Sequence, residues 1–410
     1  MKEYATGLKP KNLRAHNLRT IINLFREHDT LSVRDLCGHI SLSKTSILKI
    51  VGQLIDAGMV QPAGKGESTE EGGKRPELYR LNADYGYCIS IVYGDYLYYG
   101  ELFDLKLNSR LRLVHRNRSS SQDGYQQALD AIAAMICDLL QKSGLTPGQL
   151  CGVVIGSPGI VDAQSGVILH QVWDFPWENN VPFQADLSRK LPFPARIYLD
   201  NACRYSGYYE LFAGTIEEEA SAAVVSTFEK GIGGCLIERG QLIHGVNGLL
   251  GEFGHIKTDD TANRACSCGG RGCFETMVNA AGLIATAYEY DDGNSVLAPC
   301  MREKSLTYQK IFAAADQGDA LACRVVDRAV DQFIVLIQNI RFLCDTQQIV
   351  IQGMYAASGR YFRRRLADRL AAMPFYDAAP PTVVFSTIDP YEAPLTGGAL
   401  YAINQFFKER

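Results

Sequence analysis

The sequence predicts a mixed α/β chain of 410 residues: a small helical head with a hairpin, then a larger body of two similar α/β lobes. Three observations carry this. Capped helical blocks fill the first eighty residues and end in a Gly-rich basic hairpin. From Tyr85 onward, buried strands alternate with amphipathic helices, with no fixed-period repeat. The charge divides at the same boundary: residues 1–82 carry 13 Lys and Arg against 9 Asp and Glu, and the remainder 28 against 36. A basic head on an acidic body points to nucleic acid as the head's partner.

Other functional classes are excluded at the level of composition. The polar, basic start MKEYATGLKPKNLR does not read as a secretory signal, and no apolar run reaches the ~18 residues of a membrane span. A cytoplasmic chain with no membrane insertion is expected. The twelve cysteines fit this, because Cys37, Cys88, Cys137, Cys151 and Cys344 stand singly in apolar stretches, as reduced core residues do.

In the head, Ile21, Ile22, Leu24 and Phe25 recur at helical spacing. Ser32 with Asp35 three residues on forms a capping box for a second helix. Ser43 caps a third, whose Ile47, Ile50, Val51 and Leu54 face inward and which Gly58 ends. Two short helices joined by a tight turn read as a helix-turn-helix, with Lys44, Thr45, Ser46 and Lys49 at the groove-facing start of the second. Strands at Val60–Gln61 and Leu78–Leu81 flank a glycine-rich tip bearing Lys74 and Arg75, a wing suited to phosphate contact. Residues 1–82 are therefore expected to form a winged helix-turn-helix.

The body, 83–410, opens with a strand meander over "YCISIVYGDYLYYGELFDLKLNSRLRLVHRN" and an amphipathic helix over "GYQQALDAIAAMICDLLQKSG". Buried strands follow at "LCGVVIGS", "ARIYLD", "SAAVVST", "QQIVIQG" and "PTVVFS". Within it, His255, Cys266, Cys268 and Cys273 make the pattern H-x10-C-x-C-x4-C. Four such donors interleaved with glycines suit tetrahedral Zn2+ with no open position, a structural site spanning 255–273. A redox pair would need C-x-x-C, which is absent from this segment.

"GLLGEFGH…CSCGGRGCFE", "GSPGIVD" and "KGIGGCLIERGQLIHGVNG" resemble the ROK family of repressors, open reading frames and sugar kinases, over nearly the whole chain. The resemblance implies a two-lobed actin-like ATPase (sugar kinase) fold. A winged helix ahead of it is the pattern of the family's repressors. It also implies sugar-binding roles for Gly159, Asn201, Glu252, His255 and Glu275. Paired carboxylates with an amide suit vicinal hydroxyls, although Glu252 and Glu275 could instead support the zinc loop.

The family's kinases carry a proton-accepting Asp in a segment like E-N-D-A-N/R. Aligned without a gap, "DNACR" puts Asp200, Asn201, Ala202 and Arg204 on positions one, two, three and five, so the base becomes Ala202. A two-residue shift would put Asp200 there but would misplace Asn201 and Glu210. The first phosphate loop is replaced by the tyrosine-rich "SIVYGDYLYYG", whereas the turn Gly231–Gly234 persists. The expectation is a non-enzymatic, DNA-binding regulator of carbohydrate metabolism, a repressor. It would bind a palindromic operator as a homodimer or homotetramer and sense a sugar or sugar phosphate. An active ATP-dependent sugar kinase with an added DNA-binding domain is the alternative. A body that binds a sugar-transport protein is a third reading.

Overall fold

The computed structural model describes residues 10–67, 75–94, 97–116, 124–171, 177–217, 219–373 and 379–408. The chain forms two compact units. The first comprises Met1–Ile155, Pro182–Leu199 and Gly398–Arg410, and the second Gly156–Val181 and Asp200–Gly397.

The head, in the first unit, runs α1 (Pro10–Glu27), β1 (Leu31–Ser32), α2 (Val33–His39), α3 (Lys44–Asp56), β2 (Val60–Lys65) and β3 (Glu77–Leu81). Its sheet has the order β1-β3-β2. Ile21, Ile22, Phe25, Leu36, Ile47, Val51 and Leu54 are buried. The Ser32–Asp35 capping box forms, with the Asp35 carboxylate accepting from Ser32 N–H at 2.8 Å. Ser43 Oγ accepts from Ser46 N–H and caps α3. Gly58 adopts φ +75° just past the helix, the left-handed conformation glycine tolerates. Ile50 is only half-buried rather than inward, because the core stripe follows Ile47, Val51 and Leu54. Gly52 sits inside α3, where glycine costs about 0.5–1 kcal/mol relative to alanine.

A short turn at Ala83–Tyr85 leads to β4 (Tyr87–Tyr93), β5 (Leu97–Asp104) and β6 (Ser109–Arg116), an antiparallel meander. Arg26 of α1, 7% exposed, reaches across to this meander and donates from Nε to Leu105 O at 2.9 Å. Lys106 pairs with Asp29 at 3.1 Å. Next come α4 (Tyr125–Ser143), β7 (Leu150–Ser157), the second unit's β8 (Ile160–Asp162) and β9 (Val167–His170), α5 (Phe183–Lys190) and β10 (Ile197–Asn201). The first unit's sheet has the order β10-β7-β4-β5-β6.

The second unit continues with α6 (Ala202–Phe212), β11 (Ser221–Thr227), β12 (Ile232–Glu238), β13 (Gln241–Ile243), α7 (Phe274–Val278), α8 (Ala280–Tyr290), α9 (Ala298–Arg302), α10 (Tyr308–Asp316), α11 (Ala320–Cys344), β14 (Gln348–Gly353), α12 (Gly359–Ala371) and β15 (Thr382–Phe385). The final helix, α13, spans Ala393–Lys408. The sheet order is β13-β12-β11-β14-β15. Counted from its own first strand, this is the order of the first sheet, so each unit repeats one topology. The second unit's core, mostly aliphatic, holds an aromatic cluster in which Phe333 meets Phe274, Tyr355 and Phe362 edge-on, with centroids 4.6–5.2 Å apart.

All twelve cysteines are free. Cys88 and Cys151 are buried as expected, whereas Cys37, Cys137 and Cys344 are only half-buried, at element faces rather than in the core. Among the described residues no helix is long and apolar enough to cross a membrane.

Candidate ligand and metal site

In the second unit, the candidate site is built around the junction at Asp200–Ala202, where β10 passes into α6. Asn201 caps α6: its Oδ1 accepts from Cys203 N–H at 2.8 Å, and its Nδ2 donates to Gly159 O at 2.9 Å. Asn201 and Gly159, 42 residues apart, are thus brought into direct contact. Gly159 must lack a side chain, because a Cβ there would stand 2.3 Å from the His170 carbonyl oxygen.

Asp200 and Arg204, both 1% exposed, form a buried ion pair, Nη1 to Oδ1 at 2.6 Å. The same Oδ1 accepts from Asn201 N–H, and Oδ2 lies 2.7 Å from His244 Nε2. Arg204 also donates to the carbonyls of Val161, Gly248 and Leu250. One guanidinium therefore ties α6, β8 and the 244–250 loop together. A desolvated guanidinium needs that many acceptors. Glu210, further along α6, is buried, and its Oε1 accepts from Gln352 Nε2 at 2.5 Å. That makes it a structural group.

Two carboxylates, Glu252 and Glu275, lie near this junction, both acting electrostatically on Cys203. Glu275, at the start of α7, accepts from Ile232 N–H at 2.9 Å. Burial raises its carboxyl above the usual range, against the pull of that amide and His255. Burial likewise pushes Glu252 up to about 7, with Arg204 drawing it down and Glu275 repelling its charge. The Cys203 thiol, desolvated beside these carboxylates, rises to about 12. Gly234 packs where a Cβ would meet Val224 O at 2.0 Å, so the persistent glycine turn has a packing cause.

Donor atoms of His255, Cys266, Cys268 and Cys273 all lie within 4.8 Å of one another. Cys266 Sγ is 3.3 Å from His255 Nδ1, and Cys268 Sγ is 3.7 Å from Cys273 Sγ. A tetrahedron with Zn–S near 2.3 Å has edges of about 3.8 Å, so the donor set fits such an ion. Burial raises the Cys273 thiol to about 12. Burial also pushes Cys268 upward, but the Gly270 amide and the neighbouring thiols bring it below its ordinary value. Nδ1 faces the sulfurs, which leaves His255 Nε2 on the far side of its ring.

In the head, Lys44, Thr45, Ser46 and Lys49 are exposed along α3, and Arg75 is exposed ahead of β3. Lys74 lies outside the described residues. Sequence reasoning aligned Arg204 but missed its role. Its ion pair with Asp200, four residues earlier in β10, crosses a strand–helix junction, so helical spacing did not announce it. His244 gave no signal, being 44 residues from Asp200.

The two sheets of shared strand order give the chain a sugar-kinase-like fold. A Streptomyces griseus ROK glucokinase solved with glucose and AMPPNP superposes with a TM-score of 0.62 at 18% identity, covering 77% of this chain and 99% of that one. A ROK family transcriptional regulator, a homologue of the E. coli MLC protein, superposes with a TM-score of 0.76 at 20% identity over 97% of both chains. The ROK family model matches residues 100–393, and the chain belongs to the ROK family. Relatives of both kinds exist. A Halalkalibacterium halodurans glucokinase is 31% identical, covering 59% of this chain and 72% of its own. The Caldicellulosiruptor bescii xylose repressor is 23% identical over 87% of each chain.

Proposed function

We propose that the chain is a sugar-responsive transcriptional repressor. Its head is a winged helix-turn-helix, and its body is a sugar-kinase-like sensor that has lost catalysis. The observation that carries the reading is the head itself. The exposed Lys44, Thr45, Ser46 and Lys49 lie over the buried Ile47, Val51 and Leu54, on a helix capped to project from its partner. The xylose repressors match the chain at greater length than the glucokinase does.

The loss of catalysis rests on Ala202, which has no proton acceptor. Asp200 is a poor substitute, because Asn201 N–H, Arg204 and His244 already engage both of its carboxylate oxygens. Gly159, Asn201, Glu252, His255 and Glu275 would receive a sugar or sugar phosphate. Zn2+ held by His255, Cys266, Cys268 and Cys273 would stiffen the loop between Glu252 and Glu275 and supply no chemistry. Differential binding of ligand to two body states would then shift the affinity of a dimer or tetramer for a palindromic operator.

Fluorescence anisotropy on an operator found by genomic selection, with and without a monosaccharide panel, tests this. Specific binding that survives deletion of residues 1–82 would refute it. The kinase reading is favoured by the higher identities of kinase relatives, 31% to the glucokinase and 28% to an N-acetyl-D-glucosamine kinase. Turnover on the order of 1 per second in a coupled ADP assay would establish it.

A further inference from the structure

We infer that Leu48 and Gly52 of α3 are specificity-determining positions, with Leu48 reading a thymine methyl and Gly52 admitting a groove edge against the helix backbone. The inference rests on the DNA-binding reading and deepens it. At about 100° per residue, the buried Ile47, Val51 and Leu54 define one face of α3. Thr45, Lys49, Gly52 and Gln53 then fall on the opposite face, with Leu48 beside them. Leu48 is 49% exposed, a large apolar side chain that the core does not claim.

Gly52 is also unexplained from within the chain. A methyl placed there would meet no atom within 4 Å, and its backbone is not left-handed. Gly58, by contrast, ends the helix at φ +75°, and Gly38 lies in the last turn of α2. A destabilising glycine kept open at mid-helix, one turn from Lys49 and from an exposed leucine, fits an outside surface that approaches the backbone. The lysines at 44 and 49 select an anionic surface. Among anionic surfaces, duplex DNA offers an apolar group, the thymine methyl, to a leucine in the major groove.

The test uses the full-length protein and its genomically selected operator. Gly52→Ala is expected to raise the thermal midpoint and yet weaken specific binding about tenfold, opposite signs that a purely structural glycine would not give. Replacing operator thymines by uracil one at a time should cost the wild type about fourfold at one position, the worth of one buried methylene. Leu48→Ala should be insensitive to that same replacement. Gly52→Ala binding as tightly as wild type would overturn the role of Gly52, and equal uracil sensitivity in both proteins would overturn that of Leu48. A changed oligomeric state with unchanged DNA affinity would overturn both and assign the face to a second copy of the chain. If the wild type selects no operator at all, the DNA-binding reading falls too. Variants that behave like a binding wild type sink this inference alone.

Discussion

At the scale of single residues, the buried Asp200–Arg204 pair and the half-buried Glu252 give the sharpest expectations. Arg204→Met would strand Asp200 with only His244 and a backbone amide, and three carbonyls would lose their donor. Removing one partner of a buried pair costs about 3–5 kcal/mol. Urea unfolding should read a loss of that size, and Arg204→Lys should not restore it, because one ammonium cannot span the same acceptors. Glu252 gives a pH signature. Its carboxyl, ordinarily at 4.5, is raised to about 7 by burial. The stability linked to its protonation is therefore fully present below about 4.5 and is lost as pH rises through 7, by at most about 3 kcal/mol. Thermal melts of ligand-free protein from about pH 5 to 8 should show this decline, and Glu252→Gln should flatten it. A sugar that donates hydroxyl protons to Glu252 should bind more tightly above about pH 7 than below it.

At the scale of elements, the His/Cys cluster and the helices of the head were legible in the sequence for different reasons. The set of one histidine and three cysteines was readable because metal ligation demands particular donors at short spacing, and the loop around them closes locally. Elemental analysis of protein purified without chelator should find about one zinc per chain. Cys268→Ser, at the most exposed of the three thiols, should lower both zinc content and thermal midpoint. The caps of α2 and α3 were readable because Ser32, Asp35 and Ser43 act within three residues of themselves. Ser32→Ala should cost about 0.5–2 kcal/mol in head stability, read by hydrogen exchange in α2. Ile50 was misjudged because apolar spacing alone does not say which edge of a stripe the neighbouring helix covers. The Arg204 and His244 links were illegible because their partners lie more than forty residues away, and nothing in periodicity reports such pairings.

At the scale of the whole molecule, the expectation of two similar α/β lobes has its counterpart in the shared strand order of the two five-stranded sheets, although no sequence repeat marks it, since two sheets can share topology with no shared residues. The alternation of strands and helices carried that expectation; the strand order within each sheet was not legible. A thermal-shift screen of sugars and sugar phosphates is expected to yield a ligand that adds about 2.7 kcal/mol at roughly 100 times its Kd, while ADP release stays at background. Arg26 bears on how such a chain could be re-engineered. Its guanidinium is seated on the Leu105 carbonyl, and Lys106 reaches back to Asp29. The head is therefore not a bead on a string. Grafted onto a relative's body, it would arrive without its socket. A working chimera would have to bring the Asp104–Asn108 turn along with residues 1–82.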